Sequence, residues 1–409
     1  MAETGRVFIW VQHLLGIGHL MRAAHLARHL AGKGWQVDLA SGGAPIENLD
    51  VGAARFHQLP PLRAADAAFS ALVDLDGKPV DEAFKRARRE LLLRHFVLAD
   101  PEILIVEHYP FGRRQLRFEL DYLLGAAQHI SARPLIASSV RDILVERRPE
   151  REEETVAAIA RFDAVLVHGD PALVPFEMSF DATERIRSKL VYTGYVGGSA
   201  PFPAPPSGVG ENEIVVSAGG GAVGGKIGVP HVRHWRILVG ANAGPRLLRK
   251  LRARAPSWVT VEPARPDFRG LLARCAVSVS QAGYNTVVDL LAAGARPVLV
   301  PFATGRETEQ TLRAERLAQK GLARVLPESA LTADRLAAFV APARQGEDRR
   351  RGRDRALPRA RACRAPRSAR MSETEAWARL EAELEAWRAS GRIATLWWRD
   401  DDAGDSSPA

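Results

Sequence analysis

Short runs of apolar residues alternate along the chain with longer stretches whose apolar positions repeat at helical spacing. In the first half, the apolar runs predict strands near 6–11, 35–40, 103–108, 134–140 and 164–169. The stretches between them predict helices near 19–31, 82–99, 116–130 and 151–162. Regular alternation of strand and helix is typical of an α/β layer built on a parallel sheet.

The same alternation starts again after residues 197–212, which are rich in Pro, Gly and Ser and predict a linker. It predicts strands near 214–218, 235–240, 258–262, 276–280 and 297–302, with helices near 245–254, 267–274, 283–294 and 307–320. We therefore expect an α/β protein with two Rossmann-like, doubly wound domains that face each other across a cleft. The expected boundaries are 1–196, the linker 197–212, 213–340 and an irregular tail, 341–409. Open parallel sheets bind ligands outside the carboxyl ends of their strands.

The net charge of the chain is concentrated in one segment. The 409 residues carry a formal charge of +9, and eleven arginines against three acidic residues give residues 341–370 a charge of +8. A nucleic-acid surface would spread its basic residues over several elements, so we expect no nucleic-acid partner. This low-complexity segment is not expected to form packed structure.

The remaining composition indicates a soluble chain. We find no run near the roughly 18 apolar residues that span a bilayer and no signal peptide at the start. Cys275 and Cys363 are too far apart in sequence to suggest a disulfide framework or a metal cluster. We therefore expect a cytoplasmic protein, without a resident cofactor or metal.

Three segments fit this organisation poorly. Residues 224–234 contain glycines and Pro230 where a helix should follow a strand. Together with the segment 341–370, they suggest a disturbed reading frame. Residues 397–403, WWRDDDA, resemble the opening of polysaccharide deacetylase-like proteins, whose aspartates help bind a metal. No histidine follows them, so we assign this fragment no metal site.

A glycine motif follows the first predicted strand. Gly16 and Gly18 let the backbone turn tightly, and His19 falls on the first turn of the next helix, at the mouth of the cleft. An imidazole there can accept a proton from an attacking hydroxyl. The alternative is that His19 only caps the helix or packs locally.

A second glycine run, at 219–221, follows the first strand of the second half. Gly219, Gly220 and Gly221 can expose backbone N–H groups to a diphosphate. The Lys-Ser/Thr pair of a P-loop is missing from this run, which argues against an ATPase site. A purely structural turn is the alternative.

Polar residues at the starts of two later helices complete a candidate ligand site. Gly283 opens one helix, and Asn285 and Asp289 share a face of it, where a carboxylate can bind the hydroxyls of a ribose. Glu309 and Gln310 lie in the first turns of the next helix, placed for sugar hydroxyls, unless they are simply exposed to solvent. Nearby, Thr304 and Glu307 have the spacing of a capping box.

The loop after the third predicted strand offers further candidates. Glu107 or His108 is placed to assist catalysis, and Arg113 to hold an acidic acceptor. The alternative, slightly favoured, is a polar loop with a Tyr-Pro turn.

These motifs together resemble the glycosyltransferase family 28 group, which has the GT-B fold and includes the peptidoglycan N-acetylglucosaminyltransferase. The resemblance covers residues from about 5 to 340 and includes the two glycine loops in order. Its most specific part comprises Gly283, Asp289, Ala293-Gly294, Val300-Pro301-Phe302 and Glu309-Gln310. The chain has Asp289 where the peptidoglycan enzyme has Glu, and the irregular segment after Gly224 puts the support of the phosphate loop in doubt.

The resemblance implies inverting, metal-independent transfer of a sugar from a nucleotide-sugar, usually UDP-linked. By position, His19 is the general base, the run 219–221 cradles the phosphates and Asp289 holds the ribose. Glu309 and Gln310 then contact the donor sugar. The first domain is implied to bind a glycan or lipid-linked acceptor of the cell envelope or of a polysaccharide, which allows peripheral association with the inner face of the membrane.

Two other functions are consistent with the same motifs. A nucleotide-sugar hydrolase of this superfamily would use water in place of the acceptor and release free sugar. A non-catalytic nucleotide-sugar-binding protein would bind UDP without turnover.

Overall fold

A computed structural model describes residues 5–14, 16–66, 71–130, 132–145, 149–197, 203–217, 233–240, 244–303 and 308–341. The glycine run 219–221, residues 224–232 of the irregular segment, residues 304–307 and everything after 341, the fragment 397–403 included, lie outside the described residues. Within the described ranges, no helix is both long and apolar enough to cross a membrane.

The first half of the chain forms a seven-stranded parallel sheet in the order β3-β2-β1-β6-β7-β8-β9. Its strands are β1 Arg6–Val11, β2 Gln36–Ser41, β3 Arg55–Gln58, β6 Ile103–Glu107, β7 Leu135–Arg141, β8 Ala164–His168 and β9 Leu190–Tyr192. A small antiparallel pair joins β4 Arg63–Ala64 to β5 Leu72–Val73. The helices are α1 Gly18–Gly32, α2 Glu82–Ala99, α3 Arg117–His129, α4 Pro149–Ile159 and α5 Thr183–Ile186.

The second half forms a six-stranded parallel sheet in the order β12-β11-β10-β13-β14-β15. Its strands are β10 Ile214–Ser217, β11 Trp235–Val239, β12 Val259–Pro263, β13 Val277–Ser280, β14 Pro297–Leu299 and β15 Arg324–Val325. The helices are α6 Gly244–Arg254, α7 Phe268–Arg274, α8 Tyr284–Ala293, α9 Glu309–Gln319 and α10 Ala333–Val340. Two parallel-sheet α/β halves confirm the predicted fold class.

Burial on both faces explains why the first strand is a continuous apolar run. Val7 and Ile9 pack with α1 on one face of the sheet, whereas Phe8 and Trp10 pack with α2 and α3 on the other. All four side chains are fully buried. A parallel strand covered by helices on both faces needs apolar residues at every position.

Each sheet has one point where the strand order reverses. In the first sheet, β1 lies between β2 and β6, and in the second, β10 lies between β11 and β13. At such a point the connections leave in opposite directions and open a crevice at the carboxyl ends of the strands. The loop from β1 to α1 and the residues after β6 therefore meet at one crevice, and α8 begins at the other.

A fully buried ion pair joins the two halves. Nη2 of Arg313, on α9, lies 2.6 Å from Oδ1 of Asp142, which follows β7, and neither side chain is exposed to solvent. The same guanidinium donates to the carbonyl oxygen of Ala282 at 2.8 Å. Around this pair, Leu173 and Val174 of the first half share an apolar cluster with residues of the second. The pair therefore fixes how the halves meet.

We expect Arg313→Met to destabilise the protein by about 3–5 kcal/mol, because it leaves the Asp142 carboxylate buried without a counter-ion. Urea unfolding of the full chain measures the loss. The double variant Asp142→Leu/Arg313→Met removes both charges and should recover most of it. Equal losses in the single and double variants would contradict the role of the ion pair.

Candidate active site

The crevice of the first sheet brings His19 against Glu107. Nδ1 of His19, at the start of α1, lies 2.8 Å from Oε1 of Glu107, at the end of β6. The His19 side chain is 14% exposed and that of Glu107 is 1% exposed. A carboxylate only accepts hydrogen bonds, so Nδ1 carries the hydrogen and Nε2 is the basic nitrogen. An imidazole oriented in this way can act as a general base.

Glu107 has partners on both of its oxygens. Oε1 also receives a hydrogen bond from Arg22, one turn along α1 from His19, and Oε2 receives one from the Ser139 hydroxyl. The Ser139 hydroxyl lies 2.9 Å from Nε2 of His168, which is fully buried. Glu107 was predicted to assist catalysis; its carboxylate lies behind His19, where it orients the ring.

The loop after Glu107 places a second imidazole beside His19. The ring centroids of His108 and His19 are 4.8 Å apart, and His108 adopts a left-handed backbone conformation with φ of 65°. An ideal Cβ on Gly112 would lie 2.4 Å from Cδ2 of His108. Only glycine at 112 therefore leaves room for the His108 ring in this position.

Cationic side chains surround the His19 ring. Burial, followed by repulsion from Arg113, Arg22 and Arg141, holds the pKa of His19 well below 6.5. Nε of Arg113 donates to the Gln12 carbonyl at 2.8 Å, and burial lowers the pKa of Arg113 to about 10. His19 is therefore neutral near pH 7, the form in which it can accept a proton.

The start of α8, at the second crevice, lies close to the start of α1, at the first crevice. An ideal Cβ on Gly18 would lie 3.4 Å from Nδ2 of Asn285, so α1 and α8 approach closely at their N-termini. Gly283 precedes α8 with open space where a side chain would be, and the same is true of the exposed Gly16. The structure thus brings Gly18 of the first half to Asn285 of the second.

Asp289, one turn further along α8, forms an ion pair with Arg269 of α7. Nε of Arg269 contacts Oδ1 of Asp289, and the Asp289 side chain remains 21% exposed. Burial raises the pKa of Asp289, while Arg269 opposes that rise. The predicted ribose carboxylate is therefore accessible but already paired on one oxygen.

The two polar residues at the start of α9 are also engaged. Oε1 of Glu309 lies 2.8 Å from Nη2 of Arg313, and Oε2 lies 2.6 Å from Nη2 of Arg141 across the cleft. Oε1 of Gln310 accepts from the backbone N–H groups of Ala282 and Phe302, at 3.1 Å each. In this arrangement Glu309 joins the two halves, whereas Gln310 ties together the chain segments that follow β13 and β14 of the second half.

Several residues of this site were not predicted from the sequence. Arg22 was not predicted, although its spacing of three from His19 places both residues on one helix face. Asp142, Ser139 and His168 gave no signal of their own, because polar residues at strand ends are common. Their contacts depend on which strands are neighbours.

The fold and site geometry first define a class of protein. The two-sheet arrangement resembles the crystal structure of CalG4, the calicheamicin glycosyltransferase, with a TM-score of 0.57 and 16% identity. The match covers 94% of this chain and 98% of that one. The architecture is that of GT-B glycosyltransferases.

The sequence comparison is more specific over the second half. Residues 240–363 match the glycosyltransferase family 28 C-terminal domain, which confirms the predicted resemblance there. The UDP-N-acetylglucosamine–N-acetylmuramyl-(pentapeptide) pyrophosphoryl-undecaprenol N-acetylglucosamine transferase of Aromatoleum aromaticum is 38% identical over 108 residues, 26% of this chain and 30% of that protein. The enzyme of the same name from Syntrophotalea carbinolica is 26% identical over 247 residues, 57% of this chain and 66% of that protein. The chain thus spans less than two thirds of the length of these relatives.

Buried neutral histidines predict loss of stability in acid. Burial lowers the pKa of His168 to about 3, and the pKa of His19 also lies well below the value of 6.5 expected for an unfolded chain. Below pH 6.5 the unfolded chain therefore binds protons that the folded protein does not. As the pH is lowered below 6.5, the free energy of unfolding should therefore decrease by up to about 1.4 kcal/mol per pH unit for each such histidine.

Urea unfolding of wild type and His19→Gln between pH 7 and about pH 4 tests this linkage. The variant should show a shallower slope below pH 6.5, because one of the buried imidazoles is gone. Parallel curves for the two proteins would show that His19 takes up its proton equally in the folded and unfolded states.

Proposed function

We propose that the protein is an inverting glycosyltransferase that moves a sugar from a nucleotide-sugar, UDP-linked, to a hydroxyl of a cell-envelope or polysaccharide acceptor. The proposal rests on one juxtaposition: an imidazole oriented by a carboxylate stands at the crevice of the first sheet, beside the helix start that the resemblance assigns to the donor. Gly18, adjacent to His19, lies against Asn285 of that helix. Base and donor site therefore share one cleft.

The proposed chemistry follows from the orientation of His19. Nε2 takes the proton of the acceptor hydroxyl as its oxygen attacks the anomeric carbon, and the bond to the nucleoside diphosphate breaks on the opposite side. Nδ1 keeps its hydrogen bond to Glu107, whose negative charge stabilises the imidazolium that forms. The proton, the new glycosidic bond and the diphosphate leaving group account for all atoms of the step.

The second half would hold the nucleotide. The N–H groups at the start of α8 point their partial positive charge at the diphosphate, as helix N-termini do. We assign the ribose hydroxyls to Asp289, through Oδ2, because Arg269 already contacts Oδ1. Gln310 would contact the donor sugar. Glu309 would also contact it, once the sugar replaces one of the cations with which Glu309 is paired. We expect helix and loop amides to neutralise the leaving group, so the proposed step uses no metal ion.

The acceptor would approach from the first half. Arg113 and Arg141 lie close enough to His19 to lower its pKa by repulsion. The buried Nε of Arg141 has no hydrogen-bond partner among the described residues. Cations beside the base favour an acceptor that carries a negative charge. A lipid-linked acceptor of this kind would also account for peripheral attachment to a membrane surface.

We expect UDP to bind the full chain and Asp289→Asn to weaken it by about 10- to 100-fold, the cost of hydrogen bonds to a charged group. Isothermal titration calorimetry measures both dissociation constants. Glu213→Gln is the matched control. Glu213 is another arginine-paired carboxylate of this half, but it precedes β10 and so lies at the amino ends of the strands, away from the crevice. UDP affinity equal in wild type and Asp289→Asn would refute the ribose assignment.

The rate of sugar transfer should depend on His19 and Glu107, whereas the affinity for UDP should not. We expect His19→Gln and Glu107→Gln each to lower kcat by about 10²- to 10⁴-fold with UDP affinity unchanged, since general base catalysis contributes this much. UDP release from a panel of UDP-sugars, with and without glycan and lipid-linked acceptors, measures it. Free sugar formed without acceptor would identify a hydrolase, and UDP binding without turnover would identify a binding protein.

A further inference from the structure

A row of buried polar side chains runs from Glu107 across the carboxyl edge of the first sheet. It passes from Glu107 at the end of β6 to Ser139 on β7, His168 at the end of β8 and Thr193 just after β9. The Ser139 hydroxyl is 2.9 Å from Nε2 of His168, and Nδ1 of His168 is 2.6 Å from Oγ1 of Thr193. None of the four is more than 1% exposed. The catalytic step described above does not use the last three.

Proton counting gives this row a single direction. The Glu107 carboxylate accepts, so Ser139 donates its only hydroxyl hydrogen to Oε2. Ser139 must then accept a hydrogen bond from Nε2 of His168. A neutral imidazole with its hydrogen on Nε2 has a bare Nδ1, which accepts from the Thr193 hydroxyl. Burial keeps His168 in this neutral form by lowering its pKa to about 3.

We propose that Ser139, His168 and Thr193 form a directed hydrogen-bond relay that positions the Glu107 carboxylate and thereby tunes the basicity of His19. The proposal rests on the proposed function, in which His19 is the general base. The three residues are positioning residues, because they reach the imidazole only through Glu107. Four adjacent parallel strands bring them together, since the carboxyl ends of such strands lie side by side.

Several other charged and titratable groups around the His19 ring also influence its pKa. Apart from Glu107, the groups that face the ring are Arg22 of α1, Arg113 and His108 of the loop after β6, Arg141 at the end of β7 and His13 after β1. The hydrogen bond from Ser139 draws negative charge on Glu107 away from His19. Removing that bond should strengthen the pull of the carboxylate on the imidazolium and raise the pKa of His19.

The expected effect of Ser139→Ala is therefore an upward shift of the His19 titration by about half a pH unit or more. NMR titration of the imidazoles in the full chain without substrate measures it, with the His19 signal assigned from the His19→Gln spectrum. The acid limb of kcat should move in the same direction. His168→Leu should give a smaller shift of the same sign, and His168→Gln, which keeps an N–H donor toward Ser139, should restore the wild-type titration.

Ser138→Ala is the matched control. Ser138 is a fully buried neighbour on the same strand, but its hydroxyl donates to the Tyr109 carbonyl at 2.7 Å and not to Glu107. It should cost stability without moving the His19 titration. An unchanged or lowered His19 pKa in Ser139→Ala, or an equal shift in Ser138→Ala, would overturn the relay. A shifted titration in a protein that transfers no sugar would uphold the relay and remove the proposed function instead.

Discussion

The buried carboxylate of Glu107 is the interaction on which the first half of the site depends. It neutralises Arg22, whose side chain is only 2% exposed, and it fixes the orientation of the His19 ring. A buried guanidinium without such a partner would be strongly destabilising. The same carboxylate therefore stabilises the start of α1 and defines the nitrogen available for chemistry. Stability and the proposed function are linked here through one charge.

The two halves are joined by polar contacts as much as by apolar ones. The ring of Tyr284 lies 5.1 Å from the Arg22 guanidinium of the first half and 5.9 Å from that of Arg313, on its own half. Its hydroxyl accepts from the Val196 N–H at 3.1 Å. Glu309 is tied to Arg313 and, across the cleft, to Arg141. A sugar that used the Glu309 carboxylate would have to replace one of these cations, so the proposed donor binding would compete with the contact between the two halves for the same carboxylate.

The sequence was sufficient for the fold class because its signals are local, although the edge strands β3, β9 and β15 were not predicted. Strand runs such as residues 6–11 and the helix starts near 19 and 283 predict their elements within one or two residues. The pairing of His19 with Glu107, 88 residues apart, depends on β1 and β6 being neighbours, which no local pattern specifies. The role of Glu107 was accordingly left open between catalysis and a polar loop, and His168 gave no signal of its own. Spacing could have revealed Arg22, because three residues along a helix place it beside His19.

In the proposed reaction, His19 as general base must meet two opposite demands. Before transfer, His19 has to be neutral, and burial together with Arg113 and Arg141 ensures this by lowering its pKa. During the proposed transfer, the ring would become a cation, which the same surroundings disfavour. Glu107 offsets that penalty because it lies 2.8 Å from Nδ1, on the side of the ring away from the basic Nε2. The balance would depend on how much negative charge Glu107 presents to the ring, which Arg22 and Ser139 limit because both donate to that carboxylate.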